Sequence, residues 1–173
     1  RVQDFMNYQI TSVMKEYTPE FDQLLFYTGY GGSSFKKVYY DEQLGRMVSR
    51  LVLPDDLYIP YNGSSVISEC PRITHRISMD ENEYRKRVVA GEYLDVEIRY
   101  AIDRVSGQSP SGAPEEVFLL EFQVDLDIDG FEDLDEDDKA TGIKLPYVVT
   151  IDENSVQVIG VRRNWLEDDE LKK

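Results

Sequence analysis

Between Phe118 and Ile128 the chain alternates: Phe118, Leu120, Phe122, Val124, Leu126 and Ile128 are apolar, and more polar residues, Leu119 apart, lie between them. Period two over this length is a strand signal, because successive side chains of a strand leave on opposite faces. An eleven-residue strand has to pair with others, so the feature commits the chain to a sheet. Shorter signals supply partners. Phe35, Lys37 and Tyr39 alternate with Lys36, Val38 and Tyr40, and Met47 to Leu53 reads as the return strand beyond the turn Asp41–Gly45. Leu57–Ile59 is a short extended piece before Pro60, whose ring disfavours helix at the residue preceding it. Arg72–Ile77, residues 93–102, Tyr147–Ile151 and Val156–Val161 also read as extended, the last two flanking the turn Asp152–Ser155.

Helices are expected at the front and in the middle. Phe5, Met6, Ile10, Val13 and Met14 recur at a spacing near 3.6, which predicts a helix over 3–16. Thr18-Pro19 has the form of an N-cap followed by proline at the first helical position. Phe21, Leu24, Leu25 and Phe26 continue that face until Gly29, Gly31 and Gly32 end it. Ser78 and Asp80 compete as N-caps of a helix that carries Tyr84, Val88 and Val89 and stops at Gly91. Together these make an α+β chain, β-rich, with antiparallel hairpins or a meander, N-terminal helices and one mid-chain helix. The expected organisation is a helical segment over 1–33, a β-rich domain over 34–165 and a linker over 166–173. Ser106 to Pro114 is a Gly/Ser/Pro loop. Both ends read as cuts in a longer polypeptide.

A chain of 173 residues with 41% apolar and 12% aromatic side chains can bury a core without crosslinks. Its one cysteine, Cys70, allows no internal disulfide and no cysteine-based zinc site. No run of about 18 apolar residues is present to cross a membrane. The net charge of −15 is unevenly placed. Residues 1–112 hold 13 basic and 16 acidic side chains, whereas residues 113–173 hold 6 and 18. So acidic a surface repels phosphate, which disfavours ordinary nucleic-acid binding. It suits a wall past which DNA slides.

No active site is legible. Asp125, Asp127, Asp129 and Gly130, with Glu136 six positions on, satisfy the EF-hand calcium-loop pattern, so an acidic calcium-binding module at 125–136 is the alternative reading. Calcium wants six to eight oxygens and a glycine at the sharp turn. The loop's context is wrong for it: a strand precedes, Gly142 and Pro146 interrupt any exit helix, and Glu132 stands where an apolar residue normally pairs adjacent loops. The plainer reading is a strand running into a solvated acidic loop over 129–138, which would act on a basic partner or a DNA path only within the screening length of about 8 Å. Gly29–Ser34 with Lys36-Lys37 has glycines and cations but runs helix, glycines, strand, the reverse of a phosphate loop. His75, the only histidine, lacks a second ligand or a nucleophile nearby in sequence. Asn62-Gly63-Ser64 matches a glycosylation sequon. The basic run Tyr84–Arg87 is flanked by Asp80, Glu81, Glu83 and Glu92, which favours local pairing over phosphate contact. An unrecognised carboxylate hydrolase would need a converged acidic pair in an apolar cleft.

Several segments, taken in order, carry a resemblance. They are Gly32-Ser-Ser-Phe-Lys-Lys-Val-Tyr-Tyr-Asp41, Leu53-Pro-Asp-Asp-Leu-Tyr-Ile-Pro-Tyr61, Pro71-Arg-Ile-Thr-His-Arg-Ile-Ser-Met79 and Ala90-Gly-Glu-Tyr93. Leu120-Glu-Phe122, Gly142-Ile-Lys-Leu-Pro-Tyr147 and Arg162-Arg-Asn-Trp165 follow. The series, over roughly residues 8–165, resembles the portal proteins of tailed bacteriophages, especially the short-tailed type, and within them the wing. The resemblance implies a structural subunit of a ring, usually a dodecamer, at one capsid vertex. Double-stranded DNA is packaged and ejected through such a ring without sequence-specific binding. It also implies, for the whole protein, partners in the terminase motor, scaffold or capsid, and head-completion or tail proteins. The location implied is the virion, with host cytoplasm during assembly and no membrane. It implies no catalytic, cofactor-binding or metal-ligating residue and no cofactor. Under it, Tyr27, Tyr30 and Tyr58 are expected to form surface covered on assembly.

Overall fold

The computed structural model describes residues 1–41, 43–61, 63–64, 66–97, 116–134 and 139–165. The fold is α+β, with three α-helices and two antiparallel sheets of two and five strands among the described residues. It divides into two compact units between Leu57 and Tyr58. The β-hairpin after Ser34 falls in the first unit, with the N-terminal helices.

In the first unit, α1 (Val2–Tyr8) is followed by a π-helical turn (Gln9–Val13) and α2 (Tyr17–Gly31). The single helix expected over 3–16 is therefore broken. The Thr11 hydroxyl donates to the Asn7 carbonyl at 2.7 Å, and Met14 leaves helical geometry at φ −89°, ψ 73°. Such back-bonding competes with the helical ladder, and a π turn absorbs the extra residue. Glu16, not Thr18, is the N-cap of α2. Pro19 then occupies the third helical position, where its missing N–H costs nothing because the first four amides have no intrahelical acceptor. The helix ends as read. Gly32 adopts φ 82°, and its N–H reaches the Thr28 carbonyl at 3.0 Å.

The hairpin β1 (Phe35–Asp41) and β2 (Arg46–Val52) is held to α2 by charge and aromatic contact. Arg46 meets Glu16 at 2.6 Å, and Glu20 accepts from Arg50 at 3.1 Å and from the Leu51 amide. The Lys36 ammonium lies 3.9 Å from the centre of the Tyr17 ring, which stacks on Phe21. Val48 and Val52 are buried in this unit.

The second unit, which starts at Tyr58 of β3 (Leu57–Tyr58), is built on the sheet in the order β3, β4 (Arg72–Asp80), β5 (Glu116–Leu126), β6 (Leu145–Asp152), β7 (Val158–Arg163), with α3 (Glu81–Val89) between β4 and β5. Strand order follows chain order, as in a meander. Asp80 is the N-cap of α3, and Gly91 at φ 81° follows its end. Residues 93–97, expected to begin a strand, form none, and 98–102 lie outside the described residues. Instead the Leu94 amide donates to the Ile159 carbonyl at 2.7 Å and Tyr93 lies against Gly160, so this segment closes over β7.

The core is where α3 meets the sheet. Met79, Tyr84, Val117, Leu119 and Ile159 form it, and Ile77, Val88, Tyr93 and Val96 pack around them. Val117 and Leu119 are wholly buried, while Phe118, Leu120 and Phe122 are only half-buried. The face of β5 that carries the cleanest alternation is therefore not the one facing the helix. A bulge between β6 and β7 lets Ile159 turn into the core, since Thr150 pairs with Gly160 but Ile151 pairs with Val158. The β6–β7 turn is set by Asp152. Its fully buried carboxylate accepts the Ser155 amide at 2.8 Å, and Val156 is driven to φ 57°.

Candidate functional site

The calcium-like loop starts inside the sheet. Asp125 is the penultimate residue of β5, opposite Pro146, so a strand and not a helix enters the loop. The geometry follows from the alternation that precedes it: Asp125, Asp127 and Asp129 are all exposed, and Asp125 and Asp127 leave a strand and its extension on one side. Gly130 makes the turn at φ 85°. Glu132 folds back to accept the Gly130 amide at 2.9 Å, and acceptance from backbone amides holds its carboxyl below the ordinary range. Asp133 carries Thr141, whose amide reaches the Asp133 carbonyl at 2.9 Å, and Leu134 bridges to Ala140. The near part of the acidic loop is thus a folded turn in which Glu132 and Asp133 are half-buried and accept hydrogen bonds from the turn itself. Glu136, the remaining ligand of the pattern, lies outside the described residues, as do Asp135, Asp137 and Asp138. Among the described residues, no group of three or more His, Cys, Asp or Glu is placed to hold a metal ion.

The other sequence candidates go to structural tasks. Gly29 and Gly31 sit in the last turns of α2 and Gly32 caps it, so the glycine-rich stretch ends a helix. His75 stands in β4 in register with Glu121 of β5, whose carboxylate lies 3.5 Å from Arg162. Asn62 of the sequon is outside the described residues. The two arginines of the basic run are paired locally. Arg85 pairs with Glu81, and Arg87 with Glu83 at 3.4 Å and Glu92 at 3.0 Å. Tyr84 is buried and donates to the Leu94 carbonyl at 2.9 Å. Tyr93, stacked on Tyr84, has its hydroxyl pushed up to about 12 by burial.

What the structure adds are two apolar surfaces. The first lies on the N-terminal helices. No residue of α1, of the π turn or of α2 is buried. Phe5, Met6, Phe21, Leu25, Phe26 and Tyr30 are exposed, Tyr30 to 85%. Of the three tyrosines expected at the surface, Tyr30 and Tyr58 are exposed and Tyr27 is half-buried. The second is the outer face of the five-stranded sheet, where arginines lie over aromatic rings. Arg76 is 4.2 Å from the centre of Phe118, Arg72 6.0 Å from Phe122, and Arg163 5.7 Å from Trp165, which itself packs edge-on against Tyr147. Sequence reading missed this set because it depends on register. Arg72 and Arg76 face Phe118 and Phe122 only once Arg76 is set opposite Leu120. The one visible signal was an arginine four residues from another in a strand, which places both on one face.

Among the described residues, no helix is long and apolar enough to cross a membrane. Comparison with known protein families and with curated proteins finds no match.

Proposed function

We propose that this chain is a structural part of a bacteriophage portal ring, wing-like in character, which acts by packing subunits together around the channel through which double-stranded DNA is packaged and ejected. The ordered series of segments that resembles portal proteins suggests the ring. The observation that carries the packing role is the N-terminal helical pair. Even with the π turn that continues it, the helical run Val2–Val13 only reaches the about 12–15 residues at which isolated helices are marginal in water. Yet α1 buries nothing, and its Val2, Phe5 and Met6 stand in solvent at i, i+3 and i+4. Such a stripe is a helix-in-groove surface, and a neighbouring subunit is the natural cover for it. Charge allows this. The first unit, residues 1–57, holds 6 basic and 8 acidic side chains, so copies could meet there without strong repulsion.

The test is electron microscopy of the protein expressed with its native flanking sequence. Rings are expected, and Phe26→Asp with Phe5→Asp is expected to abolish them while the circular dichroism spectrum persists. A monodisperse monomer under all conditions would reject the proposal.

A further inference from the structure

The sheet of the second unit is apolar on both faces, and the unit's described helix covers one. By register, Leu120 lies opposite Ile151, and Phe122 opposite Val149, which lies opposite Val161. With Phe118 these residues share the face turned away from Tyr84 and the core. Val161 is 52% exposed and the others are half-buried, whereas Leu145 and Tyr147, farther along the same face of β6, are buried, Tyr147 against Trp165. Among the described residues of this unit, the helix-on-sheet packing is that of α3 on β4 and β5, on the other side. An antiparallel sheet with one face open to water normally carries polar side chains there. Here it carries Leu, Phe, Val and Ile.

The patch has the footprint of one helix. Two strand spacings of about 4.8 Å and four residue rises of about 3.4 Å give roughly 10 by 14 Å, and a helix with its side chains is about 10 Å across. Its borders are basic. Arg72 and Arg76 flank it along β4, Arg76 already paired with Glu153, and Arg163 flanks it on β7. They do so in a unit, residues 58–173, where 26 acidic side chains face 13 basic ones. Arginines on both borders of an apolar floor therefore run against the charge of their surroundings.

We infer that this face docks a single amphipathic helix of a partner protein, with an apolar stripe flanked on both sides by carboxylates. A second copy of this chain fits poorly. Its α3 carries Arg85, Lys86 and Arg87; its α1 has one acid, Asp4; and at α2 Glu16 and Glu20 are held by Arg46 and Arg50, which leaves the single acid Asp22 and not a carboxylate on each side of a stripe. The inference is independent of the ring, since it concerns another surface on the other unit.

The test is fluorescence anisotropy of the whole 173-residue chain with a synthetic helical peptide carrying a leucine stripe flanked by glutamates. An isomer with lysine for glutamate is the control. The glutamate peptide is expected to bind saturably and to weaken with salt. Arg72→Glu with Arg163→Glu should weaken it at least about tenfold, the scale expected when paired rim charges are reversed. The lysine peptide should not saturate. The inference is overturned if folded protein gives no saturable glutamate-peptide binding, if both peptides bind alike, or if the double variant binds as the parent does. It is equally overturned if sedimentation shows self-association that Val161→Glu abolishes, which would assign the face to a second copy.

Discussion

Arg76 of β4 holds its guanidinium 4.2 Å from the centre of the Phe118 ring on β5, while its Nε donates to Glu153 at 2.8 Å. The two are diagonal neighbours, because Arg76 is opposite Leu120 and Phe118 is opposite Ser78. Long side chains reach across that diagonal. The arginine stem shields apolar surface while the planar head keeps its ion pair. A double-mutant cycle of Arg76→Ala and Phe118→Leu should give a coupling of about 0.5–1 kcal/mol in urea denaturation, the range for a partly exposed cation over a ring. A coupling of zero would mean the two merely lie close.

The turn after Asp152 holds a strained residue. Val156 sits at φ 57° and is 70% exposed, so its side chain gains little from packing there. A left-handed backbone costs an L-residue roughly 1–2 kcal/mol, and branching at Cβ aggravates the clash. Val156→Gly relieves it but loosens the unfolded chain. The net expectation is a gain of about 0.5–1 kcal/mol, read as a higher urea midpoint at unchanged slope. The opposite experiment is Gly32→Ala at φ 82°, where open space surrounds the missing Cβ and the loss, about 1 kcal/mol, would be backbone strain alone.

These two positions show what sequence can and cannot display. Gly32 announces a left-handed cap, because glycine is the residue such a cap selects. Val156 announces a strand, and its conformation comes from a buried carboxylate four residues earlier. The strands around Phe118, Tyr147 and Tyr39 were legible because period two needs no knowledge of partners. The core was legible only in part. Phe118, Leu120 and Phe122 give the clearer alternation, yet Val117 and Leu119 take the helix, and nothing local says which face α3 will cover. The arginine–aromatic set was invisible for the same reason, being a property of register. Residues 93–97 misled because apolar spacing there serves to pack Tyr93 and Val96 over β7 and α3 without a ladder.

Acid should loosen the first unit. Glu16 is held below the ordinary carboxylate range, chiefly by its hydrogen bond with Arg46, and burial opposes this. A carboxyl depressed in the folded state stabilises the fold above its unfolded value and stops doing so as pH falls through the folded one. The parent's stability advantage over Glu16→Gln is therefore expected in full at pH 7. It should shrink steadily below about pH 4.5, the unfolded carboxylate range. Urea midpoints for both proteins between pH 7 and pH 3 check this; a constant difference would locate the acid sensitivity elsewhere.

Calcium is expected to have no specific site at the acidic loop. Asp125 is fixed in a strand opposite Pro146, and Glu132 turns back onto the Gly130 amide. Asp125 is exposed but Glu132 is already engaged, so gathering both around a cation would require breaking the end of β5 and the Glu132 turn. Calorimetry with calcium up to millimolar concentration, the weak end for extracellular modules, should show no saturable heat. Saturable heat that Asp127→Asn removes would overturn this.

Adjacent leucines on β5 offer the sharpest test of which face is core. Leu119 is wholly buried against Val117, Ile159 and Tyr84, and Leu120 is half-buried on the arginine-bordered face. Truncating a packed leucine removes its transfer energy and leaves a cavity, so Leu119→Ala should cost about 3 kcal/mol. Leu120→Ala removes contacts that water can refill, and should cost about 1 kcal/mol, nearer the transfer of the lost methylenes alone. Both strands of argument meet in the reverse case. If Leu120→Ala proved as costly as Leu119→Ala, the outer face would already be covered in the isolated chain, and no partner helix could dock there.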